Sequence, residues 1–145
     1  MRLRNISAIC LLSLALLPAA YAEGLLGTYY DQNGQQRQYF TGNTVAQVDP
    51  VVDFDWGNGV PTAGIGADDF SVRWEGEILM PNWNGPPSRS IGFRTRSDDG
   101  VRLYIDINQD GDFNDANETV INNWTDHGPT NNDQYVNLTR NQRYP

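Results

Sequence analysis

The chain contains one cysteine, one histidine and no lysine among its 145 residues. Cys10 lies in the first twenty-two residues, so the remainder cannot form a disulfide within the chain. One histidine without cysteine partners cannot complete the usual zinc site. No Gly-x-Ser-x-Gly motif occurs, so a serine-nucleophile hydrolase of that type is not indicated. These absences argue against zinc chemistry and nucleophilic catalysis.

Positive charge is also scarce. Beyond the first twenty-two residues, eight arginines stand against eighteen acidic residues. A surface of this sign is a poor partner for nucleic acid or an anionic membrane. It is compatible with divalent cations and neutral sugars. The sequence leaves the oligomeric state unknown.

The one long apolar run lies at the start of the chain. Arg2 and Arg4 precede the run at 6–17, and a small-x-small cleavage motif ends at Ala22. This arrangement is typical of a secretory signal peptide, here residues 1–22. The run is too short to span a bilayer, so no membrane insertion is expected. The protein is therefore predicted to be secreted or displayed at the cell surface.

Alternation of apolar and polar residues dominates the rest of the chain, and helical periodicity is absent. Half-buried strands are predicted at 71–78, 91–96, 101–107 and 135–139. The third places Asp106 on the exposed face. Residues 45–67 are expected to form an ordered excursion with a short strand at 51–56. The pattern predicts an all-β, antiparallel sandwich or barrel as a single domain, residues 23–145.

Acidic residues are concentrated between positions 98 and 118, where seven of the eighteen occur with one cation, Arg102. Carboxylates at this density repel one another unless water or a bound cation screens them. Two groups favour a cation: the adjacent pair Asp98 and Asp99, and a loop that begins at Asp106.

Oxygen-bearing side chains occupy alternate positions of this loop, as in calcium loops: Asp106, Asn108, Asp110, Asp112 and Asn114. Gly111 stands where such a loop turns sharply. Asp112 would offer its backbone carbonyl, and Asn114 would act through water. Position twelve is Asn117, and the acid Glu118 comes one residue late. We expect a calcium-braced hairpin of structural role, with a solvated acidic turn as the alternative.

Six segments in series resemble the protective-antigen fourteen-kilodalton domain (PA-fourteen) family. They are residues 24–30, 53–57, 68–76, 97–106, 123–128 and 141–145. The resemblance implies a β-sandwich of the kind found in bacterial toxins, carbohydrate-active enzymes and adhesins. The family pattern continues into one more apolar strand beyond Pro145. The sequence is therefore expected to be a C-terminally truncated fragment that misses its last strand, or the domain lacks an edge strand.

Adhesin-like members of that family bind sugars through calcium held by paired aspartates, a role that the resemblance transfers to Asp98 and Asp99. Neighbouring side chains on a regular strand point to opposite faces, so the backbone must bend between these two. The resemblance implies a cis peptide bond there. Further oxygen ligands are expected among Asn122, Asn123, Asn131 and Asn132. The alternative is that both aspartates cap a turn.

The sugar-binding residues are accordingly expected to be Asp98, Asp99, Asn123, Trp124 and His127. Trp124 would stack on a sugar ring or belong to the core, and His127 is either near the sugar or an ordinary loop residue. The predicted function is a calcium-dependent module that binds glycans or cell-surface polysaccharide. A structural or interaction domain without sugar binding is the alternative, and a hydrolase with paired carboxylates ranks last.

Overall fold

The structure, a computed structural model, describes residues 24–145, and the predicted signal peptide lies outside them. These residues form nine strands and no helix, so the prediction of an all-β domain is confirmed. None of this part of the chain could cross a membrane as an apolar helix. The strands are β1 (Leu25–Asp31), β2 (Asn43–Asp49), β3 (Phe70–Glu75), β4 (Ile78–Leu79), β5 (Ser88–Ser97), β6 (Val101–Tyr104), β7 (Thr119–Asn123), β8 (Thr130–Thr139) and β9 (Arg143–Tyr144).

All strand pairs are antiparallel, as the alternating pattern predicted. One sheet has three strands in the order β2-β1-β3, and the pairs β4–β9, β5–β8 and β6–β7 complete the sandwich. The longest pairing joins β5 and β8 over ten residues each, from Ser88 opposite Thr139 to Ser97 opposite Thr130. This ladder and the β6–β7 hairpin carry the polar residues considered below.

The core lies between β5–β8 and β6–β7. Its buried members are Met80, Ile105, Val120, Ile121, Leu138 and Tyr144. Ile91, Phe93 and Val136 are partly buried against them, on the faces that the alternation predicted. Leu138 is 0% exposed. Burying a side chain of this size contributes about 1.5–3 kcal/mol.

The single strand predicted at 101–107 is wrong. β6 ends at Tyr104, and the register with β7 shifts between Leu103 and Tyr104. The extra residue of this irregularity is Val120 on β7. Asp106 lies beyond the end of β6, where strand alternation no longer applies, so Ile105 and Asp106 are both buried although they are neighbours. The expected exposure of Asp106 is therefore wrong too, and this buries a carboxylate in the predicted calcium loop.

Two further strand predictions are corrected. Residues 51–56 form no strand. Phe54 stacks instead on Trp56 and Trp74, with ring centroids 5.0 and 6.0 Å apart, so side-chain packing rather than backbone pairing orders this segment. The strand predicted at 71–78 is divided into β3 and β4, and Ile78 is exposed.

A buried carboxylate joins β1, β2 and β3. Asp49 accepts hydrogen bonds from Tyr29 Oη at 2.7 Å, Trp74 Nε1 at 2.6 Å and Gln47 Nε2 at 2.8 Å. A Cβ at Gly27 would lie 2.4 Å from Asp49 Oδ2, so glycine leaves room for the carboxylate. Burial by itself raises the pKa of Asp49, but the donated hydrogen bonds prevail and the pKa is lowered. Burial and Asp49 raise the pKa of Tyr29 to about 12.

Asp49→Asn is expected to lower the free energy of unfolding by about 1–3 kcal/mol at neutral pH, because buried donors lose a charged acceptor. A carboxyl whose pKa is lowered by folding stabilises above its unfolded pKa of about 3.9. That contribution is lost as the pH falls through the lowered folded value. Urea unfolding across this range should show the difference from wild type shrinking in acid. A constant difference, or an equal effect of Asp53→Asn at an exposed site, would contradict the assignment.

Candidate functional site

Asp98 and Asp99 connect β5 to β6, and the peptide bond between them is cis, as the resemblance implied. Both side chains are exposed. Asp99 Oδ1 accepts a hydrogen bond from the backbone N–H of His127 at 3.0 Å. The aspartate pair is thus joined to the loop between β7 and β8.

Gly100 brings the same two segments together. A Cβ at this position would lie 3.0 Å from Thr125 N and 3.1 Å from Trp124 Cα. Any side chain here would push the segment after β7 away, so glycine permits the close approach of the two backbones. The aspartates and the 124–128 segment therefore form one surface.

Below this surface the inner face of β5–β8 changes from apolar to polar. Thr95 lies opposite Asn132, and Ser97 lies opposite Thr130, on the face that carries Phe93 further along. Successive residues of a strand alternate in direction, so these residues share one face. Asn123 Nδ2, at the end of β7, donates to Asn132 Oδ1 at 3.2 Å and extends this polar end of the sandwich.

Four buried polar atoms at this end have no hydrogen-bond partner: Thr95 Oγ1, Ser97 Oγ, His127 Nε2 and Asn132 Nδ2. Residues 24–145 contain five such side-chain atoms, and the fifth is Gln32 Oε1. Buried polar groups normally have a protein or water partner. Ser97 precedes Asp98, and the backbone of His127 is bonded to Asp99. Asn132 is bonded to Asn123, and Thr95 lies opposite Asn132. Four of the five unpaired atoms therefore lie at the end of the sandwich that carries the aspartates.

The predicted ligand residues fall into two groups: some lie together at the polar end of the sandwich, and others are exposed away from it. The structure brings Asp98, Asp99, Asn123 and His127 together at this end, with Asn132 beside them. Asn122 is exposed on the other side of β7 and accepts from Arg102 Nε at 3.0 Å. Asn131 is likewise exposed, one residue out of phase with Asn132. Of the four candidate asparagines, two therefore lie at the polar end.

Trp124 is half-buried, and its ring is contacted by several side chains. Phe40 stacks with it at 5.8 Å and 26°, and Tyr39 meets it edge-on at 5.0 Å and 75°. The guanidinium carbon of Arg102 lies 4.9 Å from the ring centroid. These contacts cover much of the ring and argue against its sugar-stacking role, but they place Trp124 in a separate aromatic group rather than in the core cluster.

The acidic loop between β6 and β7 forms a second cluster. Carboxylate oxygens of Asp106, Asp110 and Glu118 lie within 4.8 Å of one another. Asp106 is 2% exposed and Glu118 is 0% exposed. The three ion pairs found among residues 24–145 involve none of these carboxylates. Buried charge without a counter-ion is costly, so the cluster is suited to a cation.

Backbone N–H groups fold the loop around these carboxylates. Asp106 accepts from Gln109 N at 2.6 Å and from Gly111 N at 3.0 Å. Glu118 accepts from Ile107 N at 3.1 Å and from Asp115 N at 3.3 Å. Gly111 has φ +90°, a conformation that favours glycine and produces the predicted turn.

The remaining predicted loop ligands, Asn108, Asp112 and Asn114, are exposed. Asn108 Nδ2 donates to Asp110 Oδ2 at 3.0 Å and to Asp115 Oδ2 at 2.6 Å. Asp112 Oδ1 accepts from Asn114 N at 2.9 Å, and both residues are exposed. The three clustered carboxylates offer hard oxygen ligands of the kind that calcium takes.

Glu118 is the member that sequence spacing left out of the ligand set. It stands one position beyond the twelfth, where a calcium loop carries its bidentate acid. Glu118 N donates to Asp115 O at 3.0 Å, and Ile105 N donates to Glu118 O at 3.0 Å. These bonds turn the side chain into the loop. The acid displaced by one position was the signal that could have identified it.

The two clusters occupy opposite ends of one hairpin. β6 begins two residues after Asp99 and ends two residues before Asp106, and β7 begins directly after Glu118 and ends at Asn123. Each strand of the pair therefore has an aspartate-site residue at one end and an acidic-loop residue at the other.

Comparison with known proteins identifies relatives. Residues 22–145 match the family model described as PA14 domain. The chain is 33% identical over 121 residues to the anti-sigma-I factor RsgI3 of Acetivibrio thermocellus, which covers 83% of this chain and 16% of that protein. A solved structure of an anti-sigma factor domain-containing protein is similar at 31% identity and TM-score 0.57, over 85% of this chain and 36% of that one. The chain thus spans about one sixth and about one third of these relatives.

Proposed function

Because the chain belongs to the PA14 domain family, we propose that it is an exported, non-catalytic module that binds glycans through calcium held by Asp98 and Asp99. The observation that carries this proposal is the group of four unpaired buried polar atoms beside the two aspartates. Buried polar groups normally have a partner, so this concentration below the two aspartates supports a bound group at this end of the sandwich. The acidic, lysine-free surface is compatible with both ligands.

In the proposed site, each residue has a separate role in recognition. Calcium, when bound, supplies open coordination positions for two neighbouring sugar hydroxyls. Asp98 and Asp99 provide negative charge at the rim, and the backbone N–H of His127 holds one oxygen of Asp99 in place. Asn123 fixes Asn132 through its amide, and the buried Asn132 Nδ2 is left without a partner.

For the acidic loop we propose a second calcium site of structural function. Asp106, Asp110 and Glu118 would hold the ion, and their backbone hydrogen bonds already give the loop its shape. Two of the three carboxylates are buried, so neutralising them would stabilise the β6–β7 connection. No sugar contact is assigned to this loop.

A domain that serves structure or interaction without sugar binding is the second candidate. It is favoured by the names of two relatives, an anti-sigma-I factor and an anti-sigma factor domain-containing protein. In this function the domain would be one part of a longer exported protein and would bind another macromolecule. The two candidates differ in whether calcium and sugar bind together.

A glycan array separates the two candidates. Wild type should bind in calcium and lose binding in EDTA, because the ion contributes the contacts to the hydroxyls. Asp98→Ala and Asp99→Ala should each abolish binding, whereas Asp53→Ala, at an exposed acid outside the site, should retain it. Binding that survives EDTA or both alanine substitutions would refute the calcium site. Wild type that binds calcium but no glycan would favour the second candidate.

A further inference from the structure

We propose that the loop between β1 and β2, residues 32–42, forms a wall of the glycan site, and that Tyr39 is the aromatic residue that contacts the sugar. This inference rests on the proposed function and adds a recognition element that the sequence analysis did not include. It also replaces the predicted stacking role of Trp124.

Two contacts place this loop beside the aspartate pair. Arg37 Nη2 lies 2.5 Å from Asp126 Oδ2, and Asp126 precedes His127, whose N–H is bonded to Asp99. The second contact is the aromatic packing of Tyr39 on Trp124. The backbone of Trp124 in turn lies against Gly100. The loop is therefore connected to the 124–128 segment at two points, Trp124 and Asp126.

The loop is held in a defined shape. Asn33, Arg37 and Phe40 have φ values of 52°, 63° and 60°, and they turn the chain repeatedly. Phe40 N donates to Ser71 Oγ at 2.8 Å, which fixes the loop to β3. A Cβ at Gly42 would lie 1.8 Å from Asp31 O, so the two ends of the loop close on each other. A wall held in place before binding loses little entropy when the ligand arrives.

Within this wall, Tyr39 is the more available ring. Trp124 is contacted by Phe40, Tyr39 and Arg102, as described above. Tyr39 is 37% exposed, and its one aromatic contact among residues 24–145 is the edge-on contact with Trp124. A tyrosine offers a large, rigid contact area and a hydroxyl at its outer end. These are the properties that a sugar ring, apolar on its C–H face and polar at its edge, would use.

The charges around Tyr39 indicate the class of sugar. Arg37 is paired with Asp126, so the wall adds no net charge at this point. With the proposed calcium bound, the charges of Asp98 and Asp99 are balanced by the ion, so the pair adds no net charge that would favour a charged sugar. The ligand is therefore a neutral pyranose, with two neighbouring hydroxyls at the calcium and a C–H face against Tyr39.

Calorimetry with Tyr39→Ala, Tyr39→Phe and Tyr104→Ala tests the inference. Tyr104 is 39% exposed and contacts Phe113 on the acidic loop, so it is a matched control away from the wall. Each protein is titrated first with calcium alone and then, in saturating calcium, with the methyl glycosides of glucose, galactose and mannose. Tyr39→Ala should weaken glycoside binding about tenfold with calcium affinity unchanged. Tyr39→Phe should retain most of the affinity, and Tyr104→Ala should match wild type.

The outcomes separate this inference from the proposed function. Wild-type affinity in Tyr39→Ala would overturn the role of Tyr39 and leave calcium-dependent sugar binding intact. A loss of calcium affinity in Tyr39→Ala would also overturn it, because the ring would then act on the ion site. Wild type that binds calcium but none of the three glycosides would overturn both. Equal weakening in Tyr39→Ala and Tyr104→Ala would show a general loss of structure and would refute a specific wall.

Discussion

Calcium at a hundred times its dissociation constant should raise the free energy of unfolding by about 2.7 kcal/mol for each site that it fills. The gain arises because the folded chain gathers Asp106, Asp110 and Glu118 within 4.8 Å, whereas the unfolded chain separates them. Two of these carboxylates are buried without a counter-charge, so the ion removes repulsion as well as binding. EDTA should return the protein to its lower stability.

Urea unfolding in calcium and in EDTA measures this gain, and two substitutions divide it between the sites. Glu118→Gln keeps the shape of the side chain and should remove the part of the calcium-dependent gain that comes from the acidic loop. Asp99→Ala should remove the share of the aspartate pair. Glu75→Gln, at an exposed position on β3, should change neither. Equal unfolding midpoints in calcium and EDTA for the wild type would disprove both metal sites.

Leu138→Ala should lower the free energy of unfolding by about 2–5 kcal/mol. Leu138 is fully buried on β8, between the two strand pairs that form the core. Truncation removes apolar surface that folding buries away from water. It also leaves a cavity that neighbouring residues such as Ile105 and Tyr144 can fill only in part.

Urea unfolding in saturating calcium measures this effect with the ion sites filled. Leu79→Ala, at an exposed position on β4, is the control and should stay within about 0.5 kcal/mol of wild type. A loss below about 1 kcal/mol for Leu138→Ala would mean that the core lies elsewhere.

Much of the fold was predictable because the alternation on β5 and β8 reflects burial directly. Phe93 and Val136 face inward because each lies on the apolar side of a regular ladder. The alternation failed near the β6–β7 register shift, where Asp106 lies beyond the end of β6 and is buried directly after Ile105. It also failed at 51–56, where aromatic stacking on Trp74 orders a segment without strand pairing. Shifts and packing of this kind depend on partners distant in sequence, which a local pattern does not contain.

The candidate site shows the same division. The adjacent acids at Asp98 and Asp99 were visible in the sequence, and the resemblance gave them a role. Glu118 was excluded by a spacing rule because the loop turns one residue later than the standard pattern. Tyr39 is distant from the aspartates along the chain and reaches their neighbourhood only through Trp124. No local motif could have placed it there.

The hairpin of β6 and β7 has a further consequence, since it carries a candidate ion site at each end. The two strands are only four and five residues long, so an ion bound at one end limits the motion of the whole hairpin. Binding at the other end then costs less conformational entropy. If both ends bind calcium as proposed, their occupancy would be cooperative, and thermodynamic linkage would make the effect mutual. Sugar bound at Asp98 and Asp99 would raise the calcium affinity of the distant loop. As the calcium concentration falls, sugar binding would decrease more steeply than it would with a single calcium site.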